Sequence, residues 1–181
     1  MTTPTRLTTA DFEAFLAQPE NADRRFELID GRIEERMGTY IHGLIIINIG
    51  AALLRYLQAT QFGTVSTDAR FAPDDANDFR PDVVVMPAGT ALTDRGAMRG
   101  VPYLAVEVQS PDQTVQYLRT RAAHYLRLGV RMVWLVYPSK KLIEVLSAES
   151  VELFVLGETL RVGDALPGFA LPVADVFAGV E

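Results

Sequence analysis

The sequence predicts a mixed α/β fold, and three observations predict it. First, an apolar run at Leu104–Gln109, a helix-spaced stretch from Val115 to Leu128 and a second apolar run at Met132–Tyr137 follow one another. A strand, a helix and a strand in that order make a right-handed parallel crossover. Second, Asp82-Val83-Val84-Val85-Met86 is short and β-branched without alternation, as in a strand buried on both faces. Third, Asp30-Gly31 stands between the alternating runs Arg25–Ile29 and Arg32–Glu35, which is a strong hairpin signal.

The remaining elements follow in chain order. Thr8-Thr9-Ala10-Asp11 ahead of Phe12, Phe15 and Leu16 marks a short capped helix. In the hairpin, Phe26, Leu28 and Ile33 share buried faces. Tyr40–Gln61 reads as a long helix, apolar on most sides, with Gly63 as its stop. Thr64–Thr67 and Ala69–Ala72 are strand-like, and the acid-rich stretch from Pro73 to Asp78 is a solvated turn. Gly89–Gly100 is a loop or short helix. Ser110-Pro111-Asp112 opens the helix that Gly129 stops, with Val115, Leu118, Ala122 and Tyr125 as its apolar stripe. His124 and Trp134 read as structure. Leu142–Leu146 and Val151–Val155 form a second hairpin, and the tail is Pro-rich and irregular.

Composition narrows the chemistry. The chain has 181 residues, the size of one domain spanning 1–181. It has no cysteine, which excludes disulfides, a thiolate nucleophile and a zinc–sulfur site. Its two histidines, His42 and His124, are too few for a multi-histidine metal centre. A metal here is held mainly by carboxylates, which suits magnesium or manganese. The net charge of −6 excludes a surface coated in nucleic acid but not a local basic patch. The first residues, MTTPTRLTTADFEAF, lack an apolar core of signal-peptide length, and Leu44–Leu54 is short for a bilayer span. These features predict a cytoplasmic protein with no membrane partner.

Two carboxylates stand out. Asp82 precedes an apolar strand, after Arg80-Pro81. Alone, Pro-Asp is a common turn dipeptide. Glu107 interrupts Leu104-Ala105-Val106-Glu107-Val108-Gln109, and Gln109 points to the same side of that strand. A glutamate there is equally compatible with a solvent-facing side of the sheet. Together the two say more. Twenty-five residues separate them, enough for one strand to leave and the next to return beside it. Carboxylates on neighbouring strands, about 4.8 Å apart, can share one divalent ion.

Arg80-Pro81-Asp82 followed by Glu107-x-Gln109 resembles the Pro-Asp…(Asp/Glu)-x-Lys signature of the PD-(D/E)xK nuclease superfamily. A longer ordered series resembles its bacterial Uma-type branch of restriction-endonuclease-like proteins. That series is Arg25-Phe26-Glu27-Leu28-Ile29-Asp30-Gly31, His42 at a helix start, Arg80–Val85, Val106–Pro111, Tyr125-Leu126-x-x-Gly129-Val130 and Val133–Pro138. It covers roughly residues 8 to 172. The resemblance implies a restriction-endonuclease-like mixed central sheet flanked by helices, with an added N-terminal hairpin and a C-terminal hairpin.

It further implies a metal-dependent endonuclease acting on DNA. Asp82, Glu107 and the carbonyl of Val108 would hold Mg2+ or Mn2+. Gln109 stands where the superfamily carries its catalytic lysine. It can hold water by hydrogen bonds but brings no positive charge. Members of the branch often carry a lysine where Arg121 stands, so Arg121 is a candidate to supply that charge, or else part of a solvated helix face. Arg119 and Arg127 are read as solvated. Glu27 is a candidate further acid around the metal, or else an outward strand residue beside Arg25. His42 is hydrogen-bonded structure at the helix start or else, with Arg80, a residue lining the substrate cleft. Duplex cleavage favours a homodimer, for which the edge strands near Leu142–Val155 are a candidate interface. The alternative is a catalytically impaired module of the same fold that binds nucleic acid or a protein partner without cutting.

Overall fold

In the computed structural model, which describes residues 6–36 and 38–180, the chain begins with helix α1 (Thr9–Leu16). Thr8 caps it: its hydroxyl accepts from the Asp11 N–H, and the Asp11 carboxylate accepts from the Thr8 N–H. Strands β1 (Arg25–Ile29) and β2 (Arg32–Arg36) form the expected hairpin, with Ile29 opposite Arg32 and Glu27 opposite Glu34. Asp30 and Gly31 both take positive φ, as a two-residue turn with the native strand twist requires. Phe26 and Leu28 are buried and Ile33 packs against them.

Helix α2 (Tyr40–Thr60) follows, capped by Thr39. Its stop is Gln61 in the left-handed region, not Gly63. Gly63 opens β3 (Gly63–Thr67), where any Cβ would collide with the Met86 carbonyl oxygen. By length and composition α2 is apolar enough to cross a membrane, because the helix extends well beyond Leu44–Leu54. Here Ile45, Ile49, Leu53 and Leu57 lie buried in the core.

The acid-rich stretch departs from expectation. Strand β4 runs Phe71–Asp74, two residues later than the sequence suggests, and β5 is Asn77–Phe79. The turn shrinks to Asp75 and Ala76, with Asn77 donating back to Asp74. Asp78 is buried rather than solvated, because Arg70 forks onto it at 3.0 and 2.5 Å. Strands β6 (Val83–Pro87), β7 (Met98–Arg99) and β8 (Leu104–Val108) come next, with a loop between β6 and β7. Helix α3 starts at Val115, not near Ser110. Thr114 is its N-cap, and Ser110–Gln113 forms a turn in which Gln113 N–H donates to the Ser110 carbonyl. It ends at Arg127. Strands β9 (Met132–Tyr137), β10 (Leu142–Ser147) and β11 (Val151–Val155) complete the expected run. The tail is more ordered than its prolines suggest. A ribbon of β12 (Thr159–Leu160) and β13 (Leu171–Pro172) leads into α4 (Val173–Val176), and Leu166, Phe169 and Val173 are buried.

The described strands form a six-stranded sheet, ordered β11-β10-β9-β8-β6-β3, and a five-stranded sheet, ordered β2-β1-β5-β4-β7. In the larger sheet β8 and β9 are parallel and the other pairs antiparallel, so the sheet is mixed. Alternation divides its faces. Val83, Val85, Leu104, Val106 and Trp134 pack with α2 and the tail. Ala105, Val133 and Leu135 pack with Leu118, Ala122 and Tyr125 of α3 and with Phe71 and Phe79. Glu107 shares the parity of Ala105 and therefore points into this second layer.

Candidate functional site

Val83 lies opposite Val106 in the antiparallel β6–β8 pair, so the register continues to Asp82 opposite Glu107. The Asp82 N–H donates to the Val106 carbonyl at 3.0 Å, which places the aspartate as the ladder's last rung. Both carboxylates are buried, at 8% and 1% exposure, so neither is the solvent-facing group that its local sequence allows. Glu27 arrives from β1 with no exposure at all.

Three buried carboxylates need partners. Arg121 on α3 supplies one set. It forks onto Glu27 with two 2.9 Å bonds and reaches Glu107 Oε1 at 2.7 Å. It is buried, so the solvated-face reading of this residue does not hold. Arg127 on the same helix is exposed, as expected; Arg119 is half exposed but forks onto buried Glu144 instead of being only solvated. One turn beyond Arg121, Tyr125 donates its hydroxyl to Glu107 Oε1 at 2.5 Å. Arg36, at the end of β2, supplies the other set. Its Nη2 donates to Asp82 Oδ1 at 3.2 Å and to Glu107 Oε2 at 2.9 Å, and its Nη1 lies 3.6 Å from Glu27. The other oxygen of Asp82 accepts from the Val108 N–H at 2.7 Å, and His42 Nε2 lies 3.1 Å from it.

The electrostatics follow from this packing. Burial pushes the Glu107 carboxyl up, but Arg121 and Arg36 outweigh it and hold the group well below the usual carboxylate range. Burial opposes charge on His42, yet its contact with Asp82 raises the imidazole above its ordinary value. Burial pushes the Tyr125 phenol well up, which keeps the proton it donates.

Val108 is buried, and its N–H rather than its carbonyl makes the contact with Asp82. Gln109 is half-buried and turned to its own loop, where its amide donates to the Gln113 carbonyl at 2.8 Å. It lines a cavity of about 470 Å³ with Thr39, His42, Pro111 and Ser139. Arg80 donates its backbone N–H to Glu27 Oε1 at 2.6 Å. Its side chain lines a small cavity with Arg25, Arg36, His42 and Asp82. The structure thus gathers Glu27, Asp82, Glu107, Arg121 and His42 and sets Gln109 and Arg80 at the rim. His124 packs edge-on against Phe79, and Trp134 is fully buried.

Sequence reasoning missed Arg36 and Tyr125. The two-residue turn carried a signal for Arg36. It pairs 29 with 32, 27 with 34 and 25 with 36, which puts Arg36 on the side of Glu27. Tyr125 looked like one more member of an apolar stripe, although it lies one helical turn from Arg121.

Among the described residues no trio of His, Asp or Glu side chains is arranged to hold a metal ion. The site offers instead a pair of facing carboxylate oxygens, Asp82 Oδ1 and Glu107 Oε2, converging on one nitrogen. Hard oxygen donors of this kind suit magnesium or manganese.

Comparison with known proteins adds context. A family profile named Uma2 and described as "Putative restriction endonuclease" matches residues 12–174. No curated protein matches. A crystal structure from Anabaena variabilis ATCC 29413, described as a putative nuclease belonging to DUF820, superposes with a TM-score of 0.78. The two are 21% identical, and the match covers 93% of this chain and 98% of that one. At that identity the likeness speaks for the fold: a nuclease-like mixed α/β architecture.

Proposed function

This chain belongs to the Uma2 family, and from that premise we propose that it is a divalent-metal-dependent endonuclease hydrolysing phosphodiester bonds in DNA. One observation carries the reading. Two carboxylates on neighbouring strands turn one oxygen each to a common point, while their rear oxygens are fixed by the Val108 N–H, Arg121 and Tyr125. Outer partners that orient ligands in this way are the habit of metal sites.

Asp82, Glu107 and the Val108 carbonyl would hold Mg2+ or Mn2+. When bound, such an ion lowers the pKa of water and stabilises charge on a phosphoryl group. The chain's own residues do the rest. Arg121 keeps Glu107 ionised and holds both Glu27 and Glu107 in their aim. Arg80 and His42 face the small cavity beside Asp82 and donate to phosphate oxygens. Gln109 holds the attacking water once its amide leaves the Gln113 carbonyl. Water attacks the phosphorus in line and gives up a proton to solvent, the bond to the 3′ oxygen breaks, and that oxygen takes a proton from solvent as it departs.

A second reading has its own observation. Arg36 and Arg121 already partner all three carboxylates, and Gln109 brings no charge. A nuclease fold retired from hydrolysis, binding nucleic acid or a protein partner, would look the same. Calorimetric titration of Mn2+ into the wild type and Asp82→Ala separates the two. Saturable binding that the substitution abolishes supports the metal nuclease. Equal binding in both, or none in either, favours the binding module.

A further inference from the structure

The gap between Asp82 and Glu107 is spanned by a cation of the protein's own. Arg36 Nη2 is the one donor, among the described residues, to either facing oxygen, Asp82 Oδ1 and Glu107 Oε2. Every other contact of these carboxylates is on the far oxygen. Val108 N–H holds Asp82 Oδ2, with His42 Nε2 3.1 Å from the same oxygen, and Arg121 and Tyr125 hold Glu107 Oε1. Removing Arg36 therefore leaves both carboxylates aimed and two oxygens vacated.

The two arginines of the cluster are held differently. Arg121 spends both terminal nitrogens on Glu27 and lies at 4% exposure. Arg36 uses half of its fork. Its Nη1 is buried without a hydrogen bond, 3.6 Å from Glu27 Oε2. It projects from the last residue of β2, which is the edge strand of its sheet. It also lines a cavity of about 20 Å³ with Arg25, His42, Asp68 and Arg80, too small to take a guanidinium, so a displaced Arg36 swings outward from the strand's end.

We infer that Arg36 and a divalent metal ion are alternative occupants of the Asp82–Glu107 pair. Arg36 sets metal affinity by competition, and leaves the pair when the ion arrives. The inference rests on the metal-dependent reading above. Two guanidiniums and the His42 imidazole face the three buried carboxylates, and a divalent ion in place of Arg36 adds one positive charge to that set.

The test is Mn2+ affinity, read by calorimetry, in the wild type, Arg36→Met and Asp82→Ala. Competition is reciprocal, so Arg36→Met binds Mn2+ more tightly by at least about fivefold. Binding by Arg36→Met with none by the wild type is the same result in stronger form. Equal or weaker binding by Arg36→Met overturns the inference. If the wild type binds and Asp82→Ala does not, that failure leaves the metal nuclease standing. If none of the three proteins binds, both ideas fall together. Should Arg36→Met fail to fold, the decision passes to the wild type's Arg36 guanidinium 15N signal during a Mg2+ titration. Release of its restrained N–H groups at saturation supports the exchange, and an unchanged signal overturns it.

Discussion

Glu107 and Glu144 each interrupt an apolar strand, and each is buried beside a tyrosine and an arginine. Around Glu144 the partners close on themselves. Arg119 forks onto it at 3.1 and 2.7 Å, and Tyr137 donates to it at 2.8 Å. One carboxylate meets one guanidinium, and the arginine lies half in solvent. Around Glu107 the guanidiniums fall one short of the acids. Glu27, Asp82 and Glu107 share Arg36 and Arg121, and the His42 imidazole beside Asp82 is the third basic partner, in a place where charge is expensive. The difference teaches that a buried glutamate is no signal by itself; acids converging from separate segments onto shared partners are what set this cluster apart.

The sharpest way to break the comparison is to remove the two arginines in turn. Arg121→Ala leaves Glu27 and Glu107 short of a buried partner, and losing one side of a buried pair costs about 3–5 kcal/mol. Arg119→Ala costs less, because its guanidinium is 53% exposed and water replaces it. Urea unfolding of both variants measures the gap. Equal losses would mean that the two clusters are alike in kind.

Much of this contrast was legible before any coordinates. Apolar runs, the Asp-Gly turn and the strand–helix–strand order dictate the larger sheet. Asp82 and Glu107 announce themselves because a carboxylate at or inside an apolar run needs a reason. What stayed hidden depends on tertiary partners. Asp78 looked like a turn residue because the arginine that buries it, Arg70, lies in the segment before its hairpin and reaches it only in the folded chain. The start of α3 at Val115, behind its Thr114 cap, was hidden because Ser110-Pro111 mimics a helix opening, while a turn closed by Gln113 takes those residues. Glu144 passed unremarked because in an antiparallel hairpin an acid between apolar residues reads as an outward position.

Acidity separates the two glutamates next. Glu107 has a folded pKa below its ordinary value of 4.5, so the folded chain resists the proton that the unfolded chain accepts. Its contribution is present above that value and is lost as pH falls toward the folded pKa. Glu107→Gln therefore flattens the acid limb of stability against pH, measured by thermal melts. An unchanged limb would place acid sensitivity elsewhere. His42 gives a smaller effect of opposite sense. Its folded pKa lies above 6.5, so its contribution is complete below that value and fades as pH rises through the folded pKa. His42→Asn removes that slope near neutrality.

The smallest stability effect belongs to Gln109, and it sharpens the comparison most in function. Its amide makes one bond to the Gln113 carbonyl, so Gln109→Ala costs about 1 kcal/mol or less. If the residue only braces that loop, Gln109→Lys behaves like Gln109→Ala in every assay. If it stands at the edge of a working site, a lysine there brings positive charge toward the phosphate as bond breaking begins, where a fixed charge counts most. Gln109→Lys then cleaves DNA faster than the wild type in single-turnover assays with Mn2+, at unchanged stability. Leu146→Lys, near the closed cluster and two residues beyond Glu144, adds no cleavage, because there one carboxylate already meets one guanidinium.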